Sequence, residues 1–245
     1  GRIEEAILKL KDLQGKDGAW SWFKGMPGSL YMTTQITELM ARLQCMTGGL
    51  MEVEANWMYR DAWKFLSAEV SKEVQRMKEL EKQGMKNLLP SEQTIRYLYI
   101  GALDKNLTIR SDIKKYLLAH LAESTRALTI YGKAVVAIIM NQADKVAEAD
   151  EFLQSLMEYS VMNEEMGRYF DTPKAEYSWF SYKIPTQVMA IEALHRMNKD
   201  INSVEQMKQW LLKQKQAQAW ETPIATSDAV YALLTTGMDW LQHTG

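Results

Sequence analysis

Glu192-Ala193-Leu194-His195 sets a carboxylate and an imidazole on one face of a helix, the half-motif of a di-iron bundle. A di-iron site needs a second copy and two further glutamates. His120, His195 and His243 do not group into a zinc site on spacing. Cys45 is the single cysteine, which excludes an internal disulfide and a cysteine-built metal cluster. The third candidate is a set of carboxylates, Asp17, Glu221 and Asp228, with Trp22, Phe23, Trp179 and Phe180 as rings for stacking on sugars. Two of those carboxylates held ~6.5–9.5 Å apart would suit an inverting glycoside hydrolase. Simpler duties compete: Asp17 sits in a turn and Asp228 at a helix start. Gly48-Gly49 lacks the Lys-Ser/Thr of a phosphate loop, and no Gly-x-Ser-x-Gly elbow occurs. No catalytic set, cofactor or metal is expected.

These residues recur in a pattern. Ser21-Trp22-Phe23 precedes a run containing Thr34-Gln35-Ile36, and Ser178-Trp179-Phe180 precedes one containing Thr186-Gln187-Val188. Trp220-Glu221-Thr222 leads likewise into Thr226-Ser227-Asp228-Ala229-Val230. An aromatic loop before a Thr-started apolar helix, met three times, marks a repeat. Gln14 to Trp20 fits Gln-x-x-x-Gly-x-Trp, and Gln214 to Trp220 repeats the spacing with Gln218 in place of Gly18. The glycine permits a positive φ past a helix end, and the indole can fold back over that end, burying ~150–250 Å². The Gln amide can bond stray carbonyls there, and Thr226 and Asp228 can meet the open amides of the following helix. A structural cassette is expected at Gln14, Asp17, Gly18, Trp20, Trp22, Phe23, Trp179, Phe180, Trp220, Thr226 and Asp228, with a ligand mouth as the alternative.

Helical spacing of apolar residues predicts helices over 3–13, 30–46, 54–83, 92–103, about 108–121, 131–140, 143–159, 186–197, 204–214 and 228–236, and no convincing strand. Ile36, Leu39, Met40 and Leu43 fall on one face of the second. Residues 163–183 read as the longest loop. Pro90-Ser91, Thr129, Pro185 and Ser203 are the expected openers of their helices. Helices near 30–46, 92–103, 129–141, 184–197 and 226–236 are compact and apolar, whereas those between carry more Lys and Glu. Apolar all round implies burial and a single stripe implies an outer position. The expected fold is all-α: an α/α toroid of five to six hairpins of ~40–50 residues, with an open solenoid as the competing shape.

Bulk properties bound the rest. With 29 Lys and Arg against 31 Asp and Glu, the formal charge is −2, too little positive field for a nucleic-acid partner. No apolar stretch approaches the ~20 residues of a membrane span, so no insertion is expected. The chain opens at Gly1-Arg2, with helical pattern from Ile3 and no signal peptide. It reads as one domain, 1–245, excised from a larger protein.

The run Leu13-Gln14, Asp17-Gly18-Ala19-Trp20-Ser21-Trp22-Phe23-Lys24-Gly25-Met26-Pro27-Gly28-Ser29 and Tyr31-Met32-Thr33 resembles the thioester domain of bacterial alpha-2-macroglobulin family proteins. Leu128-Thr129-Ile130-Tyr131-Gly132-Lys133-Ala134 and Trp220-Glu221-Thr222 with Thr226-Ser227-Asp228-Ala229-Val230-Tyr231-Ala232-Leu233-Leu234 do so too, in the same order. The resemblance implies an α/α toroid within a multidomain protein that traps proteases at the cell envelope or periplasm. Its partners would be the other domains of that protein, and proteases. Thioester-bearing members carry Cys-x-Glu-Gln, but Cys45 is followed by Met46-Thr47-Gly48. The look-alike Ser203-Val204-Glu205-Gln206 reads as a capping box. The family's reactive motif would fall ahead of residue 1, so a module without its own thioester is implied. A purely structural spacer is the plainer alternative.

Overall fold

A computed structural model of the chain describes residues 2–49, 51–171 and 183–218. The described residues form nine helices and one small sheet, in the order α1 (Arg2–Leu13), α2 (Leu30–Met46), α3 (Val53–Lys82), α4 (Glu92–Leu103), α5 (Ser111–Ala122), α6 (Ile130–Gln142), α7 (Val146–Met157), β1 (Ser160–Asn163), β2 (Gly167–Phe170), α8 (Lys183–Arg196) and α9 (Ile201–Gln218). The chain divides into two compact units, Gly1–Glu123 and Ser124–Gly245.

In the first unit α4 packs against α2 and α3, and α3 also contacts α1 and α5. Ser91 opens α4, its hydroxyl accepting from the Thr94 amide at 3.3 Å. From Thr94 to Leu103 every α4 residue except Gly101 is buried. Helix α3 buries one stripe, including Leu66, Val70, Val74 and Met77, and turns its charges to solvent. Lys72–Glu69 and Lys82–Glu79 pair three residues apart rather than four.

Helix α2 departs from the apolar-face expectation. Its buried side holds Thr33, Thr34, Thr37, Glu38, Met40, Ala41 and Arg42, while Leu39 and Leu43 are exposed. The three threonine hydroxyls bond carbonyls of their own helix, at Ser29, Leu30 and Thr33 (2.7, 2.7 and 2.6 Å). They are thereby satisfied without help from across the contact. This side packs against α4, and Leu39 and Leu43 lie on the other.

In the second unit α6 is buried from Ile130 to Met140 and packs against α7 and α8. Thr129 caps it, accepting from the Gly132 amide at 3.2 Å. Helix α8 is buried from Pro185 to Leu194, whereas α7 buries only Ala149, Phe152, Leu153 and Leu156. In the second unit the nearly all-buried α6 and α8 alternate with the one-stripe α7, whereas in the first unit only α4 is buried nearly all round and α2, expected to be an inner helix, keeps one face exposed.

Two local expectations are corrected. Residues 160–170 form an antiparallel hairpin, Ser160 opposite Phe170 and Asn163 opposite Gly167, where no strand was expected. Asn163 makes the turn, its side-chain oxygen accepting from the amides of Glu165 (2.9 Å) and Met166 (3.1 Å). Gly167, at φ +90, lies so close to α9 that a Cβ would stand 2.3 Å from the Gln206 carbonyl oxygen. Tyr169 then stacks on Trp210 and Phe170 is buried, so the strand is held by tertiary packing. The second correction concerns Ser203, which does not cap α9. The Asp200 carboxylate does, accepting from the Ser203 amide (3.2 Å) and hydroxyl (2.6 Å). Gln206, the expected closing partner of a capping box, instead accepts from Arg168 Nε at 3.0 Å.

Candidate functional site

The described part of the expected cassette lies between α1 and α2. Past Leu13 the chain turns back on itself: the Gly15 amide bonds the Ala19 carbonyl (2.8 Å), the Gly18 amide the Gly15 carbonyl (3.0 Å), and the Ser21 amide the Leu13 carbonyl (3.3 Å). Gly18 has φ +92, and a Cβ there would stand 2.2 Å from the Asp61 carbonyl oxygen of α3. Only glycine satisfies both demands. The Asp17 carboxylate accepts from the Ala19 amide at 3.1 Å, which is a turn duty. The Gln14 amide donates to the carbonyls of Gly18 (2.9 Å) and Met58 (2.8 Å), tying the turn to α3.

Trp20 is 0% exposed. Its indole N–H donates to the Leu10 carbonyl of α1's last turn (2.9 Å), and its backbone amide donates to the Thr33 hydroxyl of α2 (2.8 Å). The Ser29 amide returns to the Trp20 carbonyl at 2.7 Å, and the Ser29 hydroxyl caps α2 by accepting from the Met32 amide at 3.1 Å. One buried ring thus joins α1, the turn and the start of α2.

Beyond Trp20 the loop turns its rings outward. Trp22 is 55% and Phe23 69% exposed, with Met26 exposed on the same loop. The Ser21 hydroxyl braces this loop, donating to the Phe23 carbonyl at 2.7 Å. Leu30, Tyr31, Leu39, Leu43 and Met46 of α2 are exposed as well. The braced loop thus exposes Trp22, Phe23 and Met26, with Lys24 among them paired to Asp12 at 3.2 Å, and α2 exposes Leu39, Leu43 and Met46. Apolar patches of this kind mark contact surfaces.

The second cassette does not repeat this turn at 214–218. Helix α9 runs on to Gln218, because no glycine stands where the chain would have to take a positive φ. Trp179, Phe180, Trp220, Thr226 and Asp228 lie outside the described residues, as do Glu221 and His243.

Charge inside the first unit is concentrated on the other side of α2. Arg96 Nη1 meets both Glu38 oxygens at 3.0 Å, Arg42 Nη2 lies 3.8 Å from Glu38, and Arg96 Nε reaches Glu92 at 3.3 Å. Tyr59 donates to the Asp104 carboxylate at 2.8 Å, and burial pushes its hydroxyl well above the ordinary phenol value, with Asp104 adding to the rise. The Cys45 thiol donates to the Leu103 carbonyl at 3.3 Å. These are packing duties across α2, α3 and α4.

The remaining candidates are dispersed. Glu192 is buried and accepts from Arg196 Nε of its own helix at 2.8 Å. His195, at the exposed end of α8, is held below the ordinary imidazole value by partial desolvation first, then by Lys208 and Arg196, against Glu192. His120 Nε2 stands 3.3 Å from Glu81. Among the described residues no cluster of three or more His, Cys, Asp or Glu could hold a metal ion. Sequence reasoning missed the Glu38–Arg96 pair and the exposed α2 stripe. The stripe left a signal, since Met32, Ile36, Leu39, Leu43 and Met46 follow a heptad spacing.

Comparison with known families finds no matching family model, and comparison with curated proteins finds no match.

Proposed function

We propose that the chain is a non-catalytic contact module, similar to the thioester domain of an alpha-2-macroglobulin-like protein and without a thioester of its own. In this reading it folds as an α/α toroid of five to six helical hairpins. It helps clamp or shield against proteases in the periplasm or at the cell envelope. Its partners are the other domains of a larger protein, and the protease.

The observation that carries the contact role is the apolar surface of residues 22–46 on a braced support. A loop held by Trp20, Gln14 and Ser21 costs little further ordering when it docks. The alternation of buried and one-stripe helices through α6, α7 and α8 supports the hairpin architecture. The occupied carboxylate of Asp17 supports contact over sugar cleavage. Among the described residues no helix is long and apolar enough to cross a membrane.

The test is capture of a full-length alpha-2-macroglobulin-like protein, before and after protease cleavage, on the immobilised chain. Capture that rises on cleavage and falls with Trp22→Ala and Phe23→Ala supports the role. Equal capture by the variants contradicts it. Intact mass after methylamine treatment checks the chemistry, and a covalent adduct would overturn the absence of a thioester.

A further inference from the structure

We propose that the exposed face of α2 pairs with the same face of a second copy of this chain, the two helices antiparallel. The proposal rests on the reading of residues 22–46 as a docking surface and names its partner. Leu39, Leu43 and Met46 are 45%, 48% and 39% exposed. Tyr31, Trp22, Phe23 and Met26 are exposed as well, and a standard interface takes about 800 Å² from each partner.

Charge favours a second copy over a charged partner. The only charged residues of α2, Glu38 and Arg42, are both buried on the opposite side. Pairing a face with itself sets each charge near its like, and the α2 stripe carries none, while Lys24, exposed on the loop between Phe23 and Met26, is already paired with Asp12 of the same copy at 3.2 Å. Spacing agrees. Met32, Ile36, Leu39, Leu43 and Met46 alternate by four and three residues, which is the seam of a helix pair. Laid antiparallel, Leu39 meets the partner's Ile36, and Leu43 meets the partner's Met32. Each aromatic loop then reaches the Met46 end of the other helix. The antiparallel arrangement also opposes the helix dipoles. The contact is isologous and closes at two copies.

Sedimentation equilibrium in reducing buffer, from about 1 to about 100 µM chain, tests the pairing. The expected result is reversible doubling of mass. Leu43→Glu raises the dissociation constant roughly a hundredfold, because each copy buries an unpaired carboxylate in the seam. Leu43→Met retains dimers, and so does Val161→Glu, a change at an exposed position of β1. Circular dichroism confirms that the variants are folded. A monomer at about 100 µM, open-ended aggregates, or dimers insensitive to Leu43→Glu overturn the proposal. So does a dimer present only without reductant, since that would be a Cys45 disulfide. If the chain stays monomeric while Leu43→Glu still abolishes capture of the cleaved full-length protein, self-pairing fails and the docking surface stands. If neither responds, both fall.

Discussion

Trp20 and Trp22 are two residues apart and perform opposite duties, so replacing each with alanine separates support from surface. Trp20 is fully buried, and at ~25 cal/mol per Å² the ~150–250 Å² that such a ring buries amounts to ~4–6 kcal/mol. That figure is an upper bound, because the unfolded chain already hides part of the ring. The indole N–H bond to Leu10 contributes about 1 kcal/mol. Leu10 keeps a second donor, the Gln14 amide at 3.1 Å, so its carbonyl is not orphaned by the change. Trp20→Ala is therefore expected to cost ~3–5 kcal/mol. Trp20→Phe is expected to cost about 1–2 kcal/mol, losing the N–H and part of the ring. Trp22→Ala, at a position more than half exposed, is expected to stay within about 0.5 kcal/mol. Urea unfolding followed by far-ultraviolet circular dichroism reads all three. With two compact units in the chain, the transition is fitted for more than one step. An unchanged transition with Trp20→Ala, or a loss with Trp22→Ala as large as that with Trp20→Ala, would refute this division of duties.

Glu38→Gln leaves two buried guanidinium groups facing a neutral side chain and is expected to cost about 3–5 kcal/mol, read as a lowered urea midpoint. Lys133 is buried near the positive end of α6, with the Ser155 hydroxyl at 2.9 Å and the Tyr159 ring at 4.9 Å. The ammonium group lies at the last turn of α7, where the helix dipole favours a cation, so Lys133→Met, which keeps the aliphatic stem and removes the Ser155 and Tyr159 contacts, is expected to cost about 1–2 kcal/mol, and an unchanged urea midpoint contradicts this. His195 has a folded-state pKa below its ordinary 6.5, so the unfolded chain binds the extra proton more readily. Stability from this group is therefore complete above about pH 6.5 and falls as pH drops through the lower, folded value. His195→Asn should flatten the change in urea midpoint between about pH 7.5 and 5.5, and an unaltered slope would show that another group is responsible.

The helices were legible because their periodicity is strong and their openers are chemically distinct, as at Ser91 and Thr129. The turn at 14–20 was legible for a similar reason: glycine, glutamine and tryptophan each have few uses at that spacing. The hairpin at 160–170 was hidden because its strands are four residues each and are stabilised by α9, more than 30 positions later. The α2 face was misjudged because apolar periodicity says which residues share a side and not which side is covered. Threonines that satisfy their own hydroxyls turned the polar side inward. At Ser203, Asp200 stood three residues earlier and took the cap. Gln214 to Gln218 shows the reverse lesson, since a motif that lacks its glycine does not make the turn.

The most direct test of the docking surface is hydroxyl-radical footprinting of the dilute chain alone and with the protease-cleaved alpha-2-macroglobulin-like protein proposed as its partner. Trp22, Met26 and Met46 are oxidisable and exposed, and Met162 on β1 is an exposed reference in the other unit. The expected result is at least about tenfold slower oxidation of Trp22, Met26 and Met46 in the assembly, with Met162 unchanged. Equal oxidation of Trp22, Met26 and Met46 in both states would contradict a contact role for residues 22–46.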